Sequence, residues 1–312
     1  MARLDIHFGD NLPILSSLPS GSIDLIYIDP PFNTGQIQSR DQIAVVRDAQ
    51  GPKAGFHGLR YRHIKIGSKE YPDLFDDYLA FLEPRLVEAR RLLRPDGSLF
   101  FHIDYREVHY CKVLLDLIFG RDSFINEIVW AYDYGARSRS RWPTKHDNIL
   151  WYARNPADYQ FHLAQCDRIP YMAPDLVGEE KAARGKTPTD TWWHTIVSPN
   201  GREKTGYPNQ KPRGILDRIV KVHSRRDDQL LDFFAGSGSF GESAVALGRN
   251  CILIDDHIEA MQVMARRFIR RRVTWHGWNP PPRRSLRDSP SSAAAPPVPS
   301  TDPTPVPAPD PG

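Results

Sequence analysis

The chain contains no apolar run near the ~18–20 residues that a membrane-spanning helix needs. Its first residues, Met1-Ala2-Arg3-Leu4-Asp5, hold no hydrophobic signal segment. A transmembrane or secreted protein is therefore not expected, and the cytoplasm is the expected compartment. Cysteine is scarce: Cys111, Cys166 and Cys251 are odd in number and far apart. That spacing argues against a disulfide framework and suggests no metal site. Net charge is also small, +3 from 41 basic and 38 acidic residues, which excludes a chain that is basic throughout. No internal repeat is visible. What is present is core material: 312 residues, 40% of them hydrophobic, allow one large domain or two small ones.

Short apolar segments alternate with helical periods. Leu4 to Phe8, Ile23 to Ile28, Ser98 to Ile103, Asn126 to Tyr132, Asn148 to Ala153, Leu230 to Ala235 and Cys251 to Ile254 read as strands. Phe75, Leu79, Leu82, Leu86, Ala89 and Leu93 follow helical spacing, and Pro95-Asp96-Gly97 then turns the chain. Further helices are expected over Arg106 to Phe119, over Pro212 to His223 with proline near its start, and over Glu242 to Leu247. This alternation predicts an α/β fold with a doubly wound, mainly parallel sheet. Ligands of such sheets bind outside the carboxyl ends of the strands. Asp10, Asp29, Asp104, Asp232 and Asp255 all end or follow a strand.

Two of these acids sit in distinctive company. Asp29-Pro30-Pro31-Phe32 ends the second strand. Proline has a fixed φ and no N–H, and it holds the preceding residue extended. The Asp29 carboxylate and the Pro30 carbonyl are thus held in one orientation beside the Phe32 ring. Two acceptors and a stacking face suit a flat heterocycle that carries an amino group. The plainer reading is a capped strand end with a buried phenylalanine. Two hundred residues later, Gly236-Ser237-Gly238-Ser239-Phe240-Gly241 follows a strand and opens a helix. Asp255 ends the next strand roughly twenty residues after the first glycine. Glycines let a ligand approach the backbone, and the acid can bind both hydroxyls of a ribose. Alone, this pattern fits any nucleoside-like cofactor, a nicotinamide included.

Between Ala136 and His146 the chain carries Arg137, Arg139, Arg141 and Lys145, no acid, and Trp142. Such a segment suits a phosphate backbone and unstacked bases, or else is a solvated loop. Arg266, Arg267, Arg270, Arg271 and Arg272 sit at a helix end and read as structural. Residues 33–71 show no sustained period and are expected to be a mobile loop over the site. From about His276 proline, serine and alanine dominate. Residues 276–312 are expected to be a disordered tail after one domain over 1–275.

The segments D-P-P-F, Thr205-Gly206-Tyr207-Pro208-Asn209-Gln210-Lys211-Pro212 and D-F-F-A-G-S-G together resemble S-adenosylmethionine-dependent DNA amino-methyltransferases. With D-P-P-F first and the cofactor loop last, the order resembles the beta class, a circular permutation of the common methyltransferase fold. The resemblance spans about residues 3–272. It implies a seven-stranded Rossmann-like sheet, circularly permuted, with an inserted target-recognition region, here 133–204. It implies S-adenosyl-L-methionine as cofactor and double-stranded DNA as substrate. The implied target is adenine N6, with cytosine N4 as the alternative; Asp-Pro-Pro is commoner with adenine and Ser-Pro-Pro with cytosine. A homodimer and a cognate restriction endonuclease are partners that it allows.

By the same resemblance Asp29, Pro30, Pro31 and Phe32 form the catalytic motif. Asp232, Phe234, Ala235, Gly236 and Gly238 match the loop that contacts the methionine part, and Asp255 matches the ribose-binding acid. Asp10 matches an acid near the cofactor adenine, although a helix cap explains it as well. Thr205, Gly206, Lys211 and Pro212 match the segment that closes over the methionine end. The chain departs from the family at Asn209, where threonine is usual. Carbon-5 cytosine methylation is excluded, because none of the cysteines follows a proline. A nicotinamide oxidoreductase explains the glycine loop but leaves D-P-P-F idle. An RNA substrate and a non-catalytic DNA-binding module are further rivals, the latter opposed by the intact motif. His7, His57, His63 and His194 read as structural or phosphate-contacting, and Trp192 and Trp193 as packing residues.

Overall fold

A computed structural model describes residues 2–31, 77–133, 137–198, 201 and 203–282, with the backbone of strands over 36–47, 53–54 and 60–73. In chain order the elements are β1 (Leu4–Phe8), α1 (Asn11–Ser17), β2 (Ile23–Ile28), β3 (Gln36–Arg47), β4 (Lys53–Ala54) and β5 (Arg60–Asp73). Then come α2 (Tyr78–Leu92), β6 (Leu93–Ile103), α3 (Val108–Phe119), β7 (Phe124–Ala131), β8 (His146–Ala153), α4 (Glu179–Arg184) and β9 (Thr191–Trp193). The last third holds α5 (Arg213–His223), β10 (Gln229–Asp232), α6 (Ser239–Ala246), β11 (Asn250–Asp255), α7 (Ile258–Arg267) and β12 (Thr274–His276).

The main sheet has nine strands in the order β12-β1-β11-β10-β2-β6-β8-β7-β9. The seven expected strands form its body, and two three-residue strands, β12 and β9, extend its edges. Within this sheet β8 alone runs against its neighbours, β6 and β7. Strand β2 shows why the segment reads as an uninterrupted apolar run: it is buried on both faces. Leu25 and Tyr27 pack with Ile215 of α5, Phe240 of α6 and Met261 of α7. Ile26 and Ile28 pack with Leu15 of α1, Leu82 of α2 and Leu115 of α3. Helices thus cover both faces. The chain winds from β10 to β11 in one direction and from β2 to β6 in the other. The β10–β2 pair is therefore the switch point, where a crevice opens outside the carboxyl ends.

Three expectations change. The Pro95-Asp96-Gly97 turn lies within β6 as an irregularity: Ile23 pairs with Leu93 and Leu25 with Ser98. Residues 33–71, expected as a loop, hold β3, β4 and β5, a three-stranded antiparallel sheet in the order β3-β5-β4. Backbone pairing makes this sheet, so a search for apolar periodicity passes over it. The tail boundary expected near His276 falls inside described structure. His276 pairs with His7 of β1, and the rings stack with centroids 4.1 Å apart. Trp278 packs edge-on against Trp275, with centroids 5.2 Å apart. Residues 283–312 lie outside the described residues.

Deleting residues 283–312 is expected to leave the melting temperature unchanged, because their composition cannot build a core. Deleting from Thr274 onward also removes the edge partner of β1 and two indoles, and is expected to lower it by several degrees. Differential scanning calorimetry on both truncations checks this. A large loss on the shorter deletion would give the terminal segment a structural role.

Candidate active site

The carboxyl ends of β1, β2, β10 and β11 surround one cavity of about 650 Å³, within the usual range for small-molecule sites. Of the residues singled out in the sequence, Asp10, Asp29, Pro30, Pro31, Lys211, Asp232, Phe234, Ala235, Gly236 and Asp255 line it. Thr205, Gly206, Pro212 and Gly238 are not among its lining residues, and Phe32 lies outside the described residues.

Asp29 follows directly on β2. Its Oδ2 lies 2.7 Å from Lys211 Nζ, an ion pair whose side chains are 19% and 8% exposed. Its Oδ1 is buried and has no hydrogen-bond partner among the described residues. An unpaired buried acceptor costs about 1–3 kcal/mol and invites a donor. The strap that carries Lys211 thus reaches the D-P-P run, which the reading of Lys211 as a cofactor contact did not anticipate.

The glycine turn is pinned to the end of β11. Gly236 N donates to Asp255 Oδ2 at 2.7 Å, Ala235 N to the Ile254 carbonyl at 3.1 Å, and His257 N to Asp255 Oδ1 at 2.9 Å. Gly236 has φ +50, and a Cβ there would meet the Tyr207 ring at 3.0 Å, so the strap lies directly over the turn. Gly238 has another reason to be glycine. It caps α6 with φ +73, and a Cβ would meet Met264 Cγ at 2.8 Å, so it serves packing against α7. Arg267, read as structural, donates from Nε to the Ser237 carbonyl at 2.7 Å and pairs with Glu242.

Burial pushes the Asp232 carboxyl well above the usual range; the Phe234 N–H opposes this, and the nearby Asp29 and Asp255 charges add to it. His257 is raised to about 10, because the Asp255 and Asp256 carboxylates outweigh its burial. The cavity therefore has a cationic imidazole on its wall at neutral pH.

Several residues at the cavity had no signal of their own in the sequence. Asn11 donates from Nδ2 to the Phe233 carbonyl at 2.8 Å and accepts from Arg85 Nε at 2.6 Å. Arg85 also pairs with Asp10 at 2.9 Å, while Asp10 caps α1 through Leu12 N at 3.2 Å. Asp10 thus fills the capping role and lines the cavity as well. Within the strap, the Thr205 N–H and hydroxyl both donate to Gln210 Oε1, at 2.8 and 2.7 Å, and hold the loop's shape. Asn209 has φ +51, a left-handed conformation that asparagine adopts readily and the β-branched threonine resists. The one departure from the family pattern therefore matches a local turn.

Behind the wall, a buried chain runs away from the cavity. The Tyr27 hydroxyl lies 2.7 Å from His102 Nδ1, and His102 Nε2 lies 3.1 Å from Asp147 Oδ2. The Tyr132 hydroxyl donates to Asp147 Oδ1 at 3.2 Å. Burial raises the Asp147 carboxyl, but the hydrogen bond to His102 leads the contacts that oppose this, and together they hold it below the usual range. The carboxylate accepts, so His102 Nε2 carries the proton and Nδ1 accepts from Tyr27.

A family model described as DNA methylase matches residues 23–266. The chain belongs to the DNA methylase family. These are S-adenosylmethionine-dependent amino-methyltransferases that act on DNA. The chain is 28% identical over 280 residues to the DNA adenine methyltransferase YhdJ of Escherichia coli K12, covering 86% of this chain and 83% of that protein. It is 26% identical over 254 residues to the Type II methyltransferase M.HpaI of Haemophilus parainfluenzae, covering 81% and 70%. The PvuII cytosine-N4-specific DNA methyltransferase superposes with TM-score 0.59 at 16% identity, over 92% of both chains. A putative DNA modification methylase of Thermus thermophilus, complexed with S-adenosyl-L-methionine, superposes with TM-score 0.55 at 18% identity, over 89% and 100%. At those identities the two structures speak for the shared fold. Among the described residues of this methylase, no helix is long and apolar enough to cross a membrane.

Proposed function

We propose that this methylase transfers the methyl group of S-adenosyl-L-methionine to N6 of an adenine flipped out of duplex DNA at specific sites. The observation that carries the reading is Asp29 Oδ1, a buried acceptor with no hydrogen-bond partner among the described residues, in a cavity wall that Pro30 also lines. The exocyclic amine is a poor nucleophile because its lone pair is delocalised into the ring. Asp29 Oδ1 and the Pro30 carbonyl accept its two N–H bonds, which favours a pyramidal nitrogen and frees the lone pair. The carboxylate then stabilises the positive charge that develops there. Lys211 holds Oδ2 and so leaves Oδ1 for the base. A paired base cannot reach such a crevice, so it has to leave the stack.

The cavity fits the cofactor. The glycine turn leaves a cradle where a Cβ at Gly236 would crowd the strap, and Asp255 braces that turn. In this reading Asp232, Phe234, Ala235 and Gly236 hold the methionine part, Asp255 the ribose and Asp10 the adenine side. Thr205, Gly206 and Pro212 act by shaping the strap, and Gly238 by seating α6. When bound, S-adenosyl-L-methionine supplies an activated sulfonium methyl, so positioning does much of the rest. Cytosine N4 is the alternative target, since its amine needs the same two acceptors. The reading extends to a homodimer and to a cognate restriction endonuclease.

Mass analysis of nucleosides from DNA of cells that express the chain tests this. N6-methyladenine is expected; N4-methylcytosine would move the target to the alternative, and neither product would overturn the reading.

The segment 133–204 belongs to the same reading as the DNA-contact region. Arg137, Arg139 and Arg141 are exposed, whereas Lys145 is engaged with the Asp133 carbonyl. Each arginine on a phosphate contributes about −0.9 to the slope of log affinity against log salt. Changing Arg139 and Arg141 to Ala is expected to flatten that slope by nearly two units and to weaken all sequences alike. An unchanged slope in filter-binding titrations would place the phosphate contacts elsewhere.

A further inference from the structure

Two large indoles have no part in the chemistry above. Trp142 is 94% exposed and Trp193 is 72% exposed. Strand β9 turns alternate residues to opposite sides. Trp192 enters the core at 8% exposure, with the Arg218 guanidinium 4.7 Å above its ring, and Trp193 faces outward. Neither exposed indole stacks on an aromatic or cationic partner among the described residues. Of Trp192 and Trp193, both read as packing residues, only Trp192 packs into the core.

Topology places both on the rim that Asp29 occupies. Strand β2 is parallel to β6, and β6 and β7 are each antiparallel to β8, so β2 and β7 end at the same edge of the sheet. The loop that carries Trp142 leaves from that end of β7. Strand β9 is parallel to β7 and pairs Trp193 with Ala131, where the loop begins. Three strand spacings separate β2 from β7, about 14 Å at ~4.8 Å per strand. That is on the scale of the DNA major groove, roughly 12 Å wide. Arg137, Arg139 and Arg141 precede Trp142 with no acid among them, so the rim complements a phosphate backbone.

A base that leaves a duplex leaves a gap in the stack and an unpaired partner, and both cost free energy. An aromatic wedge between base steps offsets that cost. We propose that Trp142 enters the duplex stack and fills the gap left by the target base; this rests on the methyl-transfer reading above. The indole is a flat surface of about the size of a purine, on a loop whose arginines hold the flanking phosphates. Trp193 is tied to a strand beside Ala131, at the base of that loop, and so is placed to flank the duplex rather than to penetrate it.

The test uses full-length protein and a duplex with the site at which methylated bases are found in DNA from expressing cells. 2-Aminopurine at the target position reports unstacking. Wild type is expected to brighten the probe, and Trp142→Ala to leave it dim. With the natural base, Trp142→Ala is expected to lower kcat/KM roughly tenfold to a hundredfold, the range for one lost base–aromatic stack. A mismatch opposite the target, which removes the pairing, is expected to restore most of that loss. Trp142→Phe should retain most activity. Melting temperature and cofactor affinity should match wild type in both variants, because the side chain is exposed.

A Trp142→Ala protein with wild-type signal and rate would overturn the proposal. So would a loss that the mismatched duplex does not relieve, or a loss found in Trp193→Ala and not in Trp142→Ala. Failure of the methyl-transfer reading is a separate result, in which wild type methylates no nucleoside.

Discussion

Asp29→Ala is expected to lower kcat by about 10²–10³-fold, the usual cost of removing one preorganised electrostatic contact to the transition state. Cofactor affinity should change little, because in the proposed reading Asp255, Gly236 and Asp232 hold the cofactor and Asp29 does not. The same substitution takes the Asp29 carboxylate away from the Lys211 ammonium, which is 8% exposed and paired with it at 2.7 Å. Removing one partner of a buried pair costs up to about 3–5 kcal/mol. The variant should therefore melt lower, and its inactivity alone would be ambiguous. Asp29→Ala/Lys211→Met resolves this. Without the buried ammonium the double variant is expected to melt nearer wild type and to remain inactive. Calorimetric titration of the cofactor, a tritium-transfer assay and thermal melts provide the three readouts. Restored turnover in the double variant, or near-wild-type turnover in the single one, would remove Asp29 from the chemistry.

Asp255→Ala is expected to cost more in cofactor binding than in any other property. Its two oxygens hold the backbone N–H groups of Gly236 and His257 at 2.7 and 2.9 Å. Each donor left unsatisfied costs about 1–3 kcal/mol, so together they disfavour the bound form of the turn by roughly 30-fold or more. Asp255→Asn retains one acceptor and should fall between. The imidazole of His257, raised to about 10 by Asp255 and then Asp256, should titrate lower in the Ala variant. An NMR titration of that ring checks whether the local geometry was read correctly, independently of ligand. Wild-type cofactor affinity in both variants would show that the turn does not need this brace.

The sheet was legible because its signals are local. Ile23 to Ile28 is buried along its whole length and runs into an acid, and β1, β6, β10 and β11 likewise end at an acid or closely before one. Asp29, Asp232 and Asp255 were found because strand ends of such sheets collect ligands. Arg85 was not found. It sits in the middle of α2 and becomes informative only when its Nε meets Asn11 Oδ1 from a distant helix. His102 and Asp147 are likewise ordinary strand residues until β6 and β8 bring them within 3.1 Å. The antiparallel pairing of β3 with β5 rests on backbone hydrogen bonds, which leave little trace in side-chain periodicity. Thr205 and Gly238 were singled out by motif position alone; in the folded chain one also fixes a strap and the other also seats a helix, roles that have no separate signal in the sequence.

The cavity is built from the two ends of the chain, and that ordering has a consequence in time. Asn11 bonds to the Phe233 carbonyl, 222 positions away, and Gly9 N donates to the Asp255 carbonyl. A ribosome adds about 5–20 residues per second, so Asp255 follows Asp29 by on the order of 10–50 s. Throughout that interval the D-P-P wall has been made while the turn that cradles the cofactor has not. A nascent chain released early would hold the D-P-P half of the crevice and lack the glycine-turn half. Interrupted translation is therefore expected to yield silent fragments rather than weakly active ones.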